Sequence, residues 1–597
     1  MVRHINLLAA VVMAAAGTHA APEFLCWADT PPMGWNSWDI FGTTVTELQV
    51  KEQADAMASH LKRAGWEFLT VDIQWYEPES QGHGYKEGAY LQMDQYSRLI
   101  PGLKKFPSSA DGQGFKPLAD YVHSRGLKFG IHIMRGIPRQ AVRANTAILG
   151  TDARAADIAN IYSTCSWNPD MYGVDMNVDG AQEYYDSLFA LYASWGVDFV
   201  KVDDIARPYD EDQMAEIEAI RKAIDKCGRP MVLSLSPGDT PLDRGEHVMT
   251  HANMWRISDD FWDRWPPLYE MFSRLDRWTP YRKAGAWPDA DMLPFGIIDF
   301  DRPTNFTQEE QKLCMTLWCI ARSPLIFGGD MTRMDAFTKD LLTNPEVLSV
   351  NQKSTNNRQL TRNGDLIVWA ADLPDCKDKY VALFNAQSND DPFDLSEPDY
   401  RSRTIEGEPK EQVVDIEVPI NNARSLVLVV GDGGNGSYYD HAAWLEPTVT
   451  GPAGTLKLVD LEWKLATSGW GTIQKNKTID DRPLTLEGKD IEGIGTHSVS
   501  VIEFELPEGY DTFKARGMIT EGSHGDGKLE FMVLVDPDKH LLPLRSTVSV
   551  NLAYLGMEGK VKVRDLWARK DLGEFSGTFG AELPLHGAGL YRISPAY

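Results

Sequence analysis

The sequence predicts an α/β chain: a (β/α)8 barrel of the TIM type, followed by antiparallel β-sheet. Three observations predict it. Eight short apolar runs recur between about Pro31 and Gly329. Amphipathic helical patterns lie between several of them. After about Asn344 the helical pattern fades, and strand-like runs alternate with Asp-, Gly-, Pro- and Ser-rich stretches. Strands that alternate with helices call for a parallel sheet, and eight such units over about 300 residues fit a closed barrel.

The eight expected strands are Met33–Trp38, Trp66–Trp75, Leu127–Met134, Val197–Ile205, Arg229–Pro237, Met254–Asp260, Trp287–Leu293 and Ser323–Phe327. Leu188, Leu191, Tyr192 and Trp195 fall at i, i+3, i+4 and i+7, as one face of a helix requires. Met214, Ile217 and Ile224 share a face in Gln213–Lys226, and Leu313, Leu317 and Ile320 do so in Glu309–Arg322. Asp72, Asp203, Asp260 and Asp291 stand near the C-terminal ends of their strands. In a barrel of this kind that end carries the active site. Beyond the barrel, Leu366–Ala371, Tyr380–Asn385, Ser425–Val430, Val501–Leu506, Leu529–Val535, Thr547–Leu555, Lys560–Trp567 and Leu590–Ile593 read as strands of two sandwiches. Glycosylation-type sequons begin at Asn305, Asn435 and Asn476.

At 597 residues the chain exceeds one ordinary domain, and 43% hydrophobic content is ample for packed cores. The net charge of −27, with no basic stripe, argues against nucleic acid and anionic membrane surfaces as partners. The 18 Trp and 21 Tyr suit sugar faces as well as cores. Residues 1–20 read as an export signal: Arg3 and His4, an apolar run from Leu7 to Ala16, then Thr18-His19-Ala20. The expected mature protein is therefore secreted or periplasmic, and no run is long enough to span a bilayer. The six cysteines form no C-x-x-C pair, so zinc is not expected and disulfide pairing stays open.

One stretch concentrates the chemistry. Val197-Asp-Phe-Val-Lys-Val-Asp-Asp-Ile205 reads as a buried strand ending in charge. Lys201 and Asp203 sit two residues apart and so share a face. A cation beside a carboxylate favours its ionised form. The pair reads either as a structural ion pair or as a nucleophile with a charge-stabilising partner.

Four motifs occur in barrel order: Pro32-Met-Gly-Trp-Asn-Ser-Trp38, Val197-Asp-Phe-Val-Lys-Val-Asp203, Trp255-Arg256 followed by Asp260, and Trp287-Pro-Asp-Ala-Asp-Met-Leu293. Together they resemble the melibiase family of retaining glycoside hydrolases (family 27), whose best-known members are α-galactosidases. Lys562-Val-Arg-Asp-Leu-Trp-Ala-Arg-Lys-Asp-Leu-Gly573 resembles that family's C-terminal β-domain. Asp460-Leu-Glu-Trp-Lys-Leu-Ala-Thr-Ser-Gly-Trp-Gly471 and Gly493-Ile-Gly-Thr-His-Ser-Val-Ser-Val-Ile-Glu-Phe504 resemble the NPCBM sandwich found beside glycosidases. Asp440-His-Ala-Ala-Trp444 resembles a motif that usually closes that module, yet here it comes first, which implies circular permutation. The resemblance implies a barrel over 28–345, a discontinuous β-sandwich over 346–386 and 546–597, and an NPCBM-like insert over 387–545.

Retention needs two carboxyl groups about 5–5.5 Å apart across the sugar. One attacks as the anion; the other donates a proton and then activates water. The resemblance implies Asp203 as nucleophile and Asp260 as acid/base, with Asp204 and Asp259 as rivals by adjacency. It implies Asp72, Lys201 and Arg256 as sugar ligands, Trp38 and Trp75 as pocket wall or barrel core, and Asp289 and Asp291 as supports. Three positions depart from the family. Ile73 stands where a second Asp helps hold the 6-hydroxyl, His132 where α-galactosidases carry Tyr, and Leu235-Ser236-Pro237 where they carry a Cys-x-Trp or related motif. A site that lacks a hydroxyl's partner loses much affinity for it.

The expected activity is therefore exo-hydrolysis of terminal α-galactosides of oligo- or polysaccharides, without a cofactor or metal. The alternatives are β-L-arabinopyranosides, which lack the exocyclic CH2OH and suit Ile73, or release of isomaltose from dextran. Rivals from other classes are a sugar-binding barrel without catalysis, and a metallohydrolase barrel. The latter is weakened by the lack of an H-x-H partner for His132.

Overall fold

The computed structural model describes residues 22–387, 393–407, 413–434, 439–523, 527–541 and 545–596. The expected leader and the sequon at Asn435 lie outside the described residues. Two compact units are present: Met1–Ala386 with Thr547–Tyr597, and Gln387–Ser546.

The first unit opens with the barrel strands β1 (Met33–Asn36), β2 (Phe68–Val71), β3 (Lys128–Met134), β4 (Phe199–Asp203), β5 (Val232–Leu235), β6 (Met254–Arg256), β7 (Trp287–Asp289) and β8 (Leu325–Phe327). They form one parallel sheet in the order β7-β6-β5-β4-β3-β2-β1-β8. A parallel bridge between Leu293 and Phe327 joins the two ends, and the Leu293 N–H donates to the Ile326 carbonyl at 2.7 Å. The observed strands are shorter than the expected runs. Asp72, Asp260 and Asp291 lie past the ends of the ladder and line the site, whereas Asp203 is still paired, with Met134. The helices Ala181–Trp195, Glu211–Lys226 and Gln308–Ala321 carry the expected apolar faces. Helix Gln308–Ala321 starts with a capping box, in which Thr307 and Glu310 bond each other's backbone N–H.

The remainder of this unit is a sandwich with a six-stranded antiparallel sheet. Its order is Thr355–Asn363, Leu366–Asp372, Lys379–Asn385, Gly587–Pro595, Lys560–Asp565, Lys570–Ser576. Period two divides its strands between two cores. Val368, Ala370, Val381 and Leu383 pack with Val548, Val550 and Phe579 inside the sandwich. Ile367, Trp369, Ala382 and Phe384 face the barrel core instead. This double burial explains why Leu366–Ala371 is apolar throughout rather than alternating.

The second unit is a β-sandwich of two antiparallel sheets. One runs Tyr400–Arg401, Lys528–Val535, Ser425–Gly431, Ser500–Glu505, Trp463–Ser468; the other runs Val413–Pro419, Thr512–Ile519, His441–Gly451, Gly493–His497, Gln474–Lys475. Trp444 lies between them, edge-on to Phe531 at 4.9 Å. All six cysteines are free thiols. No helix among the described residues is long and apolar enough to cross a membrane.

Candidate active site

The C-terminal ends of the barrel strands surround a cavity of about 260 Å³, open to solvent. Register sets its floor. His132 on β3 pairs with Lys201 on β4, and Lys201 pairs with Ser234 on β5.

Asp72 follows β2 directly and is wholly buried. Its backbone N–H donates to the Ser37 hydroxyl oxygen at 2.9 Å, and the Asn36 amide donates to its carboxylate at 2.8 Å. His132 Nδ1 lies 2.6 Å from Asp72 Oδ1, and His132 Nε2 lies 3.0 Å from Asp203 Oδ2. Both contacts fall off the ideal N–H line, so they are ionic contacts rather than linear hydrogen bonds. Burial alone would lower the His132 pKa. The Asp72 charge and the contacts with Asp203 and Asp72 together overcome burial and the opposing Lys201 charge and raise it, so the imidazolium form is favoured.

Burial would raise the Asp203 carboxyl. The His132 contact and charge, the Lys201 charge and the Asp204 backbone N–H (2.8 Å) overcome that and hold it below the usual carboxylate range. Lys201 acts at a distance, because its ammonium contacts Asp72 at 3.2 Å rather than Asp203. The expected Lys201–Asp203 pair is thus a Lys201–Asp72 pair, and His132 is the cation that touches Asp203. The single strand histidine bridges two carboxylates.

Asp260 stands at the mouth. Its side chain is 63% exposed, against 9% for Asp203. The wholly desolvated Arg256 guanidinium reaches Asp260 Oδ1 at 3.2 Å and Asp291 Oδ2 at 2.9 Å through the same Nη2. Asp291 also accepts the Phe261 backbone N–H at 2.8 Å, which fixes the loop that carries Asp260. Its rival Asp259 also lines the cavity but is paired at 2.5 Å with Arg207, another lining residue. Asp204 is turned away from the cavity, 3.0 Å from Arg135, with burial pushing it up to about 6.

Trp38, Asp72, His132, Lys201, Asp203, Arg256, Asp260 and Asp291 line the cavity together. Four other expected residues do not. Trp75 belongs to the core: its Nε1 donates to the His132 carbonyl at 2.7 Å, and its ring packs edge-on against Phe115 and Trp195. The chain turns outward after Asp72, and that turn carries Trp75 behind the sheet. Ser236 and Asp289 lie one layer deeper, around a space shared with Asn36, Thr70, Ser234 and Met254. There burial and the Asp291 charge push Asp289 up to about 7, despite Arg256. Ile73 is fully buried beside Asp72 and outside the lining, so no carboxylate stands at that position.

Several lining residues have no counterpart among the expected ones. Asp39, next to Trp38, is buried, and its Oδ2 has no partner. Burial, then the charges of Asp291, Asp260 and Asp72, drive its carboxyl well up, against the opposing pull of Lys201. Gly328 is required beside it, because a Cβ there would come within 1.9 Å of Asp39 Oδ2. Trp167, Phe261 and Trp262 complete the wall, and Tyr85 stacks on Trp38 with ring centroids 6.2 Å apart. Adjacency to the Trp-Asn-Ser-Trp motif could have pointed to Asp39. The others come from loops whose return to the mouth depends on tertiary path.

This site has known counterparts. The family described as Alpha galactosidase A matches residues 30–176 and 169–353. The NPCBM/NEW2 domain matches 396–450 and 454–546, and the Alpha galactosidase C-terminal beta sandwich domain matches 524–593. Alpha-galactosidase A of Cellvibrio japonicus is 32% identical over 387 residues, covering 62% of this chain and 79% of its own. The α-galactosidase of Cyamopsis tetragonoloba is 31% identical over 363 residues, covering 60% of this chain and 74% of its own. The crystal structure of a family 27 β-L-arabinopyranosidase from Geobacillus stearothermophilus aligns with a TM-score of 0.69 at 40% identity, over 97% of this chain and 99% of that one. The chain belongs to the α-galactosidase family of glycoside hydrolases, glycoside hydrolase family 27.

Proposed function

We propose that this glycoside hydrolase cleaves terminal glycosides with retention, with Asp203 as the nucleophile and Asp260 as the acid/base. One observation carries the reading: two carboxyl groups of opposite environment line one cavity. Asp203 is buried and kept anionic by His132, as attack on an anomeric carbon requires. Asp260 is solvent-reachable beside Arg256, where a leaving group departs and water enters. In the first step Asp203 forms the bond to the anomeric carbon, while Asp260 gives its proton to the departing oxygen. In the second, Asp260 takes a proton from water, whose oxygen displaces Asp203.

For the glycone, we favour β-L-arabinopyranose over α-galactose. Ile73 offers no partner to an exocyclic hydroxyl, and the solved arabinopyranosidase is 40% identical along nearly the whole chain. The α-galactoside reading is supported by the named α-galactosidase relatives. Nitrophenyl β-L-arabinopyranoside and α-galactoside, compared by kcat/KM with NMR of the first-formed anomer, separate the two. A higher value on the arabinopyranoside with retained configuration is expected. A higher value on the galactoside overturns the glycone, and inversion overturns the mechanism. Export rests on the sequence of residues 1–20, and N-terminal sequencing of the mature protein is expected to start near Ala21.

A further inference from the structure

Away from the cavity, three side chains converge on the outside of the barrel. Helix Glu211–Lys226 presents Glu218, and helix Gly245–His251 presents His247 and His251 one turn apart on one face. One ligand-type atom from each lies within 4.8 Å of the other two. His247 Nε2 is 3.5 Å from Glu218 Oε1, and the two imidazoles stack with centroids 4.3 Å apart.

The outer contacts of each ring fix which nitrogen faces inward. His251 Nδ1 donates to the His247 carbonyl at 2.7 Å, so its Nε2 keeps the lone pair. His247 Nδ1 is 2.9 Å from the hydroxyl of buried Tyr209, a partner that can accept its proton. This is the arrangement that orients metal-binding histidines, with one nitrogen held by an oxygen and the other free to ligate. In the tautomer with the proton on His247 Nδ1, both inward nitrogens offer lone pairs beside the Glu218 carboxylate, an acceptor-only group. A tetrahedral ion with bonds of about 2.0–2.2 Å needs ligand atoms roughly 3.3–3.5 Å apart. The His247–Glu218 pair already meets that spacing, and small side-chain rotations bring in the third atom. The carbonyl end of the helix, where His251 sits, adds favourable negative potential.

We propose that Glu218, His247 and His251 form a binding site for a divalent transition-metal ion, with two imidazoles and one carboxylate as ligands. This donor set suits Zn2+, Ni2+ or Cu2+ rather than the all-oxygen preference of Ca2+ or Mg2+. Cysteine spacing and the missing H-x-H pair argue against a metal inside the barrel; neither bears on an H-x3-H spacing on an outer helix. The ion would clasp the helices that follow β4 and β5, and through Tyr209 it would touch the loop leaving Asp203.

Calorimetric titration of the tag-free, EDTA-stripped full chain with Zn2+ tests this. One Zn2+ per chain is expected, with affinity at least about tenfold weaker in both His251→Ala and the near-isosteric Glu218→Gln. Far-UV circular dichroism checks that each variant keeps its fold. Ca2+ at the same concentration is expected to give no competing signal. No saturable Zn2+ binding, or one-to-one binding unchanged in a His247→Ala/His251→Ala double variant, overturns the site.

Discussion

At the barrel mouth, buried Asp72 and Asp203 flank His132 and open onto a cavity. In the inserted sandwich, buried Asp440 is enclosed. The Ser498 hydroxyl donates to its Oδ2 at 2.6 Å, and the Lys528 backbone N–H donates to its Oδ1 at 2.9 Å. The chemistry of the side chain is the same in both places. Asp440 is answered by neutral groups that leave nothing over, which is how a carboxyl serves a fold. Asp203 is answered by a cation on one oxygen and a backbone N–H on the other, and its carboxylate still lines open space. Aromatic residues divide in the same way. Trp444 is shut between sheets, whereas Trp38, Trp167 and Trp262 leave ring area facing the cavity. Burial alone therefore does not place a carboxylate in the site; burial with a cation and an opening does.

The contrast breaks most visibly at Asp203. Asp203→Asn is expected to lower kcat by about 10^4-fold or more, while the variant still folds cooperatively and loses some stability near neutral pH, because the ionised carboxylate no longer answers His132. A cooperative loss of structure in this variant would instead place Asp203 with Asp440. Asp260→Asn should cost about 10^2–10^4-fold, with the smaller loss on substrates whose leaving group needs no proton. Equal losses on nitrophenyl and alkyl glycosides would remove Asp260 from the acid role.

His132→Gln sharpens the comparison by removing the cation and keeping polar bulk. Loss of a charge-assisted partner predicts about a 10–100-fold drop in kcat/KM. The acidic limb of the pH profile should also move. With Asp203 held below the usual range, wild-type activity persists at pH values where an ordinary carboxylate is largely protonated. In His132→Gln that limb should shift to higher pH; an unmoved limb assigns His132 to packing alone. The sign for stability follows. The depressed Asp203 contributes stability above its unfolded pKa and loses it as pH falls through the folded value. The raised His132 contributes below its unfolded pKa and loses it as pH rises through the folded value. The smallest effect on catalysis is expected at Asp440. Asp440→Ala should cost the insert about 1–3 kcal/mol in urea unfolding, because two donors lose their partner, while kcat/KM stays unchanged.

Much of this was legible in the sequence. Eight apolar runs, four of them with an aspartate near the C-terminal end, correspond to eight strands, and the helical faces match period 3.6. Lys201 and Asp203 do share a face, as alternation requires. What alternation could not supply was the cross-strand partner. Register places His132 level with Lys201, and only that pairing turns a lone histidine into the bridge between Asp72 and Asp203. Trp75 was ambiguous between wall and core because apolar aromatics suit both, and the outward turn after Asp72 decides for core. Trp167 and Trp262 were not legible, since loop paths carry them to the mouth, whereas the place of Asp39 beside Trp38 was a usable signal. The H-x3-H spacing of His247 and His251 was visible in the sequence, but its carboxylate partner lies on another helix.

Asp203, the anion kept by His132, is expected to be the group that bonds to the sugar. The direct measurement is mass mapping of the protein after reaction with an activated 2-deoxy-2-fluoro glycoside of the preferred glycone, which slows release of a covalent intermediate. One sugar per chain, on the peptide that carries Asp203 and at Asp203 itself, is the predicted result. An adduct on Asp260 or Asp39, or an inactivated enzyme without any adduct, would contradict it.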